Sequence, residues 1–267
     1  MAQETTTGST RVGEWTVTPV ELLRARRDAV GFTDLDFALN ALLLARDGQL
    51  VLVDAGSGPM GPVFLRETGV DLVTDLERSL AVHGVRPSDI DLVIATHFDC
   101  DHVGGALEGT WPDDVRPAFG DTPVVATEVE VEAARDTTAL RRSGAGPVGA
   151  ATLAPVLRLV ADGDEVAPGV RMHLAPGHTP GHAMVEIDGD PPLVFAADVF
   201  HAVEQLPVLG HSRGDQDPDV GLATRRRVLA ELAARDVLVL AAHVPGPEPG
   251  RIVADGEGYR WETAGRG

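Results

Sequence analysis

Seven side chains in this sequence have the chemistry to hold metal ions, and four of them fall between positions 97 and 102. His97, Asp99, Asp101 and His102 follow the apolar run Leu92 to Ala95 and precede Gly104 and Gly105. A buried strand that ends in imidazoles and carboxylates is a poor surface loop and a good ion site. Imidazole nitrogen and carboxylate oxygen are the donors that divalent cations take. Three more candidates, His178, Asp198 and His243, also stand at or just beyond the ends of apolar runs. Seven nitrogen and oxygen donors suit two ions, each with a position left open for water. In an extended or turning segment, residues 97 and 99 project alike and 101 and 102 swing away, so one stretch can serve both ions.

The elements that must position these residues are read from apolar periodicity. Trp15 to Val20 predicts a strand, followed by a helical stretch through Leu22, Leu23 and Arg24 to Arg27. Asn40 to Ala45 and Gln49 to Asp54, joined across Asp47-Gly48, predict a hairpin. Leu72, Leu76 and Leu80 with Val73 predict a helix over 70–83, closed by Gly84 and Pro87. A strand is expected at Pro123 to Thr127, then a helix from Glu128 to Arg135. Residues 139–156, rich in Gly with Arg141, Arg142 and Pro147, read as an irregular loop or cap. Strands follow over 170–175, 183–187, 192–197 and 237–242, with a helix capped by Asp217 or Asp219 running to Arg235.

Gly56-Ser57-Gly58-Pro59-Met60-Gly61 matches a dinucleotide-binding fingerprint letter for letter. That fingerprint needs a helix opening there and an acidic residue after a second strand. Glu77 sits inside a helix-period segment, and Pro59 and Pro62 disfavour a helix start. The segment reads as a glycine turn.

The 267 residues fit one large domain, with 1–10 as a flexible N-terminus and 11–267 as a single folded unit. The first residues lack a signal-peptide pattern, and no apolar run is long enough to cross a membrane. One cysteine, Cys100, excludes an internal disulfide framework. A cytoplasmic location is the expectation. A formal charge of −19 opposes nucleic acid and anionic membrane as partners and leaves a small-molecule substrate. All 22 basic residues are Arg. That excludes Schiff-base chemistry and Walker-type phosphate loops, which need a lysine amine. The densest basic cluster, Arg225-Arg226-Arg227, reads as a solvated helix face.

Val53-Asp54-Ala55-Gly56, Thr96-His97 through Gly105, Pro176-Gly177-His178-Thr179-Pro180-Gly181-His182, Ala197-Asp198 and Ala242-His243 resemble, in order, the motifs of the metallo-β-lactamase superfamily of binuclear hydrolases. The resemblance covers about residues 40 to 255. It implies a four-layer αββα sandwich with a metal site at one edge of two mixed sheets. It implies His97, Asp99 and His178 at a first ion, Asp101, His102 and His243 at a second, and Asp198 bridging them. Asp54 would lie beneath the site and His182 outside the ligand set. It also implies a hydrolase, nearest the lactonase and organophosphate-ester branch, in which water activated by two divalent ions attacks an ester, lactone, thioester or amide. Asp101 would orient that water. Lactonases of the family add a pocket tyrosine, whereas the only tyrosine here is Tyr259. His201 is therefore the second catalytic candidate, with His211 the alternative, both in an expected substrate loop over 199–216. Segments 19–38 and 139–156 would complete the pocket. The resemblance alone suggests a homodimer.

One letter departs from the family pattern H-x-H-x-D-H: the middle histidine is Asp99. A carboxylate is harder than imidazole, adds negative charge and reaches less far. Zinc is the expected metal, and Asp99 shifts the preference toward manganese or iron. A di-iron oxidoreductase or a metal-poor binding protein on the same fold are the rival readings.

Overall fold

The computed structural model describes residues 8–25, 37–69, 71–136, 145–246 and 248–265. The chain first lays down β1 (Thr10–Val12), β2 (Trp15–Ala25), β3 (Phe37–Arg46) and β4 (Gln49–Val53). Helices α1 (Gly61–Thr68) and α2 (Leu76–Ala81) precede β5 (Leu92–Ile94) and the one-turn helix α3 (Cys100–Val103). A small hairpin of β6 (Leu107–Thr110) and β7 (Asp114–Pro117) leads to β8 (Val124–Thr127), α4 (Glu128–Arg135), α5 (Gly146–Leu153) and β9 (Leu157–Val160). These strands form a first sheet in the order β1-β2-β3-β4-β5-β8-β9. A second seven-stranded sheet takes the rest in sequence order: β10 (Glu165–Ala167), β11 (Val170–Leu174), β12 (Ala183–Ile187), β13 (Leu193–Phe195), β14 (Leu238–Leu240), β15 (Gly250–Asp255) and β16 (Gly258–Thr263). Helix α6 (Pro218–Ala233) connects β13 to β14, which pair in parallel.

The layers follow from period-two burial on both faces. In β3, Leu42 and Leu44 face the second sheet, packing with Val51, Val53, Ile94, Met172, Val185 and Phe195. The alternate residues Leu39, Ala41 and Leu43 face the other way, with Leu52, Val93, Leu80, Val131 and Leu153. Across the molecule, Val194, Ala196 and Val239 pack under Val228, Leu229 and Leu232 of α6. The order is helix, sheet, sheet, helix: an αββα sandwich. A strand buried on both faces reads as a continuous apolar run, as β3, β4 and β5 do.

The structure corrects four expectations. Leu22 and Leu23 belong to β2, not to a helix; a register shift between Glu21 and Leu23 marks a bulge that hid the strand period. The helix expected over 70–83 is only α2, because Asp75 caps it by accepting from Arg78 N and stops it from starting earlier. Residues 145–156 are not irregular: α5 forms with Pro147 in its first turn, where the missing N–H costs nothing, and buries Ala150 and Leu153. Pro62 likewise sits in the first turn of α1, so a helix does open near the glycine turn. Residues 26–36 and 139–144 of the expected pocket segments lie outside the described residues.

Candidate metal centre

Every candidate ligand stands at or just beyond the C-terminal end of a strand. His97 and Asp99 follow β5, His178 follows β11, Asp198 follows β13 and His243 follows β14, while Asp101 and His102 ride on α3. The parallel pairs β4–β5 and β13–β14 bring these ends to one edge, the place where open sheets leave a crevice. Two residues there sit at positive φ without being glycine: Asp54 at 60° and Ala197 at 45°. Such backbone is costly unless the surroundings enforce it.

Asp54 shows what enforces it. Its Oδ1 accepts from Thr96 N at 2.9 Å and its Oδ2 from Thr96 Oγ1 at 2.9 Å. The same Oδ2 lies 2.8 Å from His102 Nδ1. An acceptor oxygen there fixes the proton on Nδ1 and leaves Nε2 as the lone pair facing the site. His243 is set the same way by Ala38 O, 3.0 Å from its Nδ1. His97 Nδ1 contacts Thr96 Oγ1 at 3.0 Å.

The inward atoms form groups that fit divalent cations. His97, His178 and Asp198 make one cluster, Asp101, His102 and His243 a second, and Asp198, His201 and His243 a third, the donor atoms of each lying within 4.8 Å of one another. Asp198 joins them. Its Oδ2 is 3.1 Å from His243 Nε2, 3.2 Å from His178 Nε2 and 3.2 Å from His201 Nε2, and its Oδ1 is 3.3 Å from His102 Nε2. Yet His97 Nε2, His102 Nε2 and Asp198 Oδ1 are buried and make no hydrogen bond within the protein. Leaving such an atom unsatisfied costs about 1–3 kcal/mol, and divalent ions would satisfy all three.

Asp99 is the N-cap residue of α3, but its side chain makes no capping hydrogen bond. The carboxylate instead faces the site, with Oδ2 3.3 Å from His178 Nε2 and 3.9 Å from His97 Nε2. That oxygen therefore lies within 3.9 Å of both imidazole donors of the first cluster.

Burial and charge divide the imidazoles. Burial holds His97 well below its usual pKa, with the charge of His102 adding to the effect. Burial pulls His178 down too, but Asp198, Asp215 and Asp99 outweigh it and raise it to about 9. His182 is kept near 3, chiefly by burial and by the charge of His178. Its Nε2 accepts from Asp198 N at 3.0 Å and its Nδ1 donates to Ala175 O at 2.9 Å. Both ring nitrogens are used, so His182 props the backbone of Asp198 and has no lone pair for an ion.

Several supporting residues escaped sequence reasoning. Glu130 is 3 % exposed and accepts from Phe98 N at 2.8 Å, Thr179 Oγ1 at 2.7 Å and Gly181 N at 2.9 Å. One carboxylate thus ties the His97 segment to the His178 segment. The pattern Thr127-x-x-Glu130 resembles a capping box, and Thr127 does accept from Glu130 N, but the glutamate carboxylate is spent on the site. Arg225 was expected on a solvated face and is 3 % exposed, because two backbone carbonyls and a carboxylate converge on it; Arg226 and Arg227 are exposed. His211 pairs with Asp219 on the surface at 3.0 Å, and its side chain is 57 % exposed. It is not part of the cluster. Tyr259 is partly buried against the cluster that α6 covers, and its backbone N–H donates to Leu206 O at 2.9 Å. His201 is in the cluster, its ring stacked on His243 at 5.2 Å.

Residues 36–243 match the Metallo-beta-lactamase superfamily. An N-acyl homoserine lactonase of Bacillus sp is 25 % identical over 228 residues, covering 78 % of this chain and 82 % of that one. A second, from Bacillus cereus, is 26 % identical over 197 residues, with 70 % and 68 % covered. Among solved structures, AidC, described as a dizinc quorum-quenching lactonase in complex with a product, superposes with a TM-score of 0.80 at 22 % identity, covering 97 % of this chain and 98 % of that one. The hydrolase AbOPH superposes at 0.78 and 21 % identity, with 97 % of each chain covered.

Proposed function

The chain belongs to the metallo-beta-lactamase superfamily, and we propose that it is a binuclear metal-dependent hydrolase acting on small lactones and related esters, thioesters or amides. One observation carries the reading: the donor atoms of His97, His102, His178 and His243 converge around Asp198, and buried His97 Nε2, His102 Nε2 and Asp198 Oδ1 make no hydrogen bond within the protein. We assign His97, Asp99 and His178 to a first ion, Asp101, His102 and His243 to a second, and Asp198 to both. Zinc is our assignment for the metal, supported by the dizinc description of AidC. The lactonase relatives support lactones as the first substrates to try.

Bound there, two divalent ions would lower the pKa of a water from 15.7 toward about 7 and polarise the scissile carbonyl. The remaining work falls to this chain's residues. Asp101, with Oδ2 3.8 Å from both His102 Nε2 and His243 Nε2, orients the attacking water and accepts its proton. His201, with 23 % of its side chain exposed, is the most accessible imidazole of the cluster. Burial lowers its pKa, so the neutral ring contacts the substrate at the leaving oxygen as a hydrogen-bonding group. The decisive assay strips the protein with chelator, reloads it with zinc or manganese, and follows acid release from a lactone series in a pH-stat. Metal-dependent ring opening supports the reading. Two bound irons, oxygen uptake and no hydrolysis would establish the di-iron alternative that Asp99 motivates.

Asp99 gives a separate prediction. Asp99→His should raise zinc affinity at the first ion by about tenfold, the scale on which single changes around a metal act. Chelator competition measures it. Unchanged affinity and unchanged metal preference would show that the carboxylate does not govern that ion.

A further inference from the structure

Arg225 and Asp215 form a buried ion pair that reaches both the segment bearing His201 and the ring of His178. Arg225 Nη2 donates to Asp215 Oδ2 at 3.0 Å and Oδ1 at 3.3 Å. Its Nε donates to Val199 O at 2.6 Å and its Nη1 to Gly210 O at 3.0 Å. One guanidinium therefore pins both ends of the segment 199–210, which carries His201. The Asp215 side chain has no solvent exposure. Its Oδ1 lies 3.8 Å from His178 Nδ1.

The backbone repeats the connection. Gln216 N donates to His178 O at 2.9 Å and Asp217 N to Gly177 O at 2.9 Å. The fit is close: a Cβ at Gly221 would stand 2.5 Å from Asp215 Oδ2, and a Cβ at Gly177 would stand 2.2 Å from Gly221 N. Burying two charges costs several kcal/mol per ion, so a well-packed apolar pair would serve plain stability as well or better. What an apolar pair would not supply is a carboxylate behind a histidine ring. On the other cluster, Asp54 backs His102 at 2.8 Å. Asp215 stands in the matching place behind His178.

Resting on the binuclear reading above, we propose that Asp215 and Arg225 are positioning residues for the first ion: Asp215 keeps the proton of His178 on Nδ1 so that Nε2 faces the ion, and Arg225 fixes Asp215 and the segment bearing His201. A carboxylate behind a ligating histidine orients the ring and raises its basicity, and its removal typically costs 10–100-fold in metal affinity. At 3.8 Å the contact is electrostatic.

The test uses the full chain and zinc, with chelator competition resolving the two equivalents. Asp215→Asn is expected to weaken one equivalent by about 10–100-fold and leave the other unchanged, with Arg225→Met weakening the same one. Asp54→Asn is expected to weaken the opposite equivalent. A folded Asp215→Asn with both affinities intact, or with both reduced alike, would overturn the proposal. So would 15N imidazole spectra of the zinc-loaded wild type in which His178 carries its proton on Nε2, a readout that needs no variant. A wild type that takes up no second equivalent would instead sink the binuclear reading.

Discussion

Asp198→Asn is expected to cut lactone turnover by about 10³-fold or more, because a lost Lewis acid forfeits several kcal/mol and each 1.36 kcal/mol is tenfold in rate. The residue earns that prediction by position. Its two oxygens lie within 3.3 Å of the Nε2 atoms of His102, His178, His201 and His243. Burial opposes its charge, yet those imidazoles, His243 foremost, hold its pKa well below the ordinary carboxylate range. Asparagine keeps the shape and removes the charge that draws two cations together. Folding should survive, since the backbone N–H of residue 198 still donates to His182 Nε2. Turnover, zinc content and a melting curve in chelator separate these outcomes. A variant that keeps two zinc ions and wild-type turnover would remove Asp198 from the centre of the account.

Gly105→Ala carries the largest expected effect on stability. A Cβ at Gly105 would stand 2.0 Å from Ala55 O and 2.7 Å from Ala55 C, both backbone atoms with nowhere to rotate. The neighbouring turn interlocks with it: a Cβ at Gly58 would stand 2.3 Å from Gly104 O, and Gly105 N donates to Gly56 O at 2.6 Å. Overpacking typically costs 1–3 kcal/mol, and a backbone clash belongs at or above the upper end, about 3 kcal/mol. For a chain of this size that lowers Tm by roughly 6–12 °C. The displaced segment holds Asp54, so the affinity of the ion at His102 should fall with it. A melt within a degree or two of wild type would mean that the two turns do not pack as described.

The same pair of turns explains what the sequence disclosed and what it withheld. Gly56 to Gly61 imitates a cofactor fingerprint, and Gly58 is there so that its backbone can touch that of Gly104. The density of His97, Asp99, Asp101 and His102 was visible because all four lie on one short segment. The strand ends carrying Asp198 and His243 were visible because β13 and β14 are continuous apolar runs, and that carrying His178 because β11 alternates apolar and polar residues. Arg225 was not visible: a triplet of arginines looks solvated, and its partners lie at Val199, Gly210 and Asp215, joined to it only by the fold. Glu130 hid inside a capping pattern for the same reason. The segment around α5 looked like a loop because Gly and Pro are turn residues, and only tertiary packing of Ala150 and Leu153 made it helical. The half-exposed strands β6, β7, β15 and β16 went unread because burial is intermittent along them. Tyr259 likewise lies on β16, far along the chain from the core it joins. In each case the missing information was a contact between distant positions.

On the proposed reading, two ions held around Asp198 make this chain a hydrolase. The chelator-stripped protein is titrated with zinc while ring opening of an N-acyl homoserine lactone is followed. Turnover should be absent in the stripped protein and reach its plateau at two equivalents per chain. Full turnover without metal, or none at any zinc, manganese or iron loading, would contradict it.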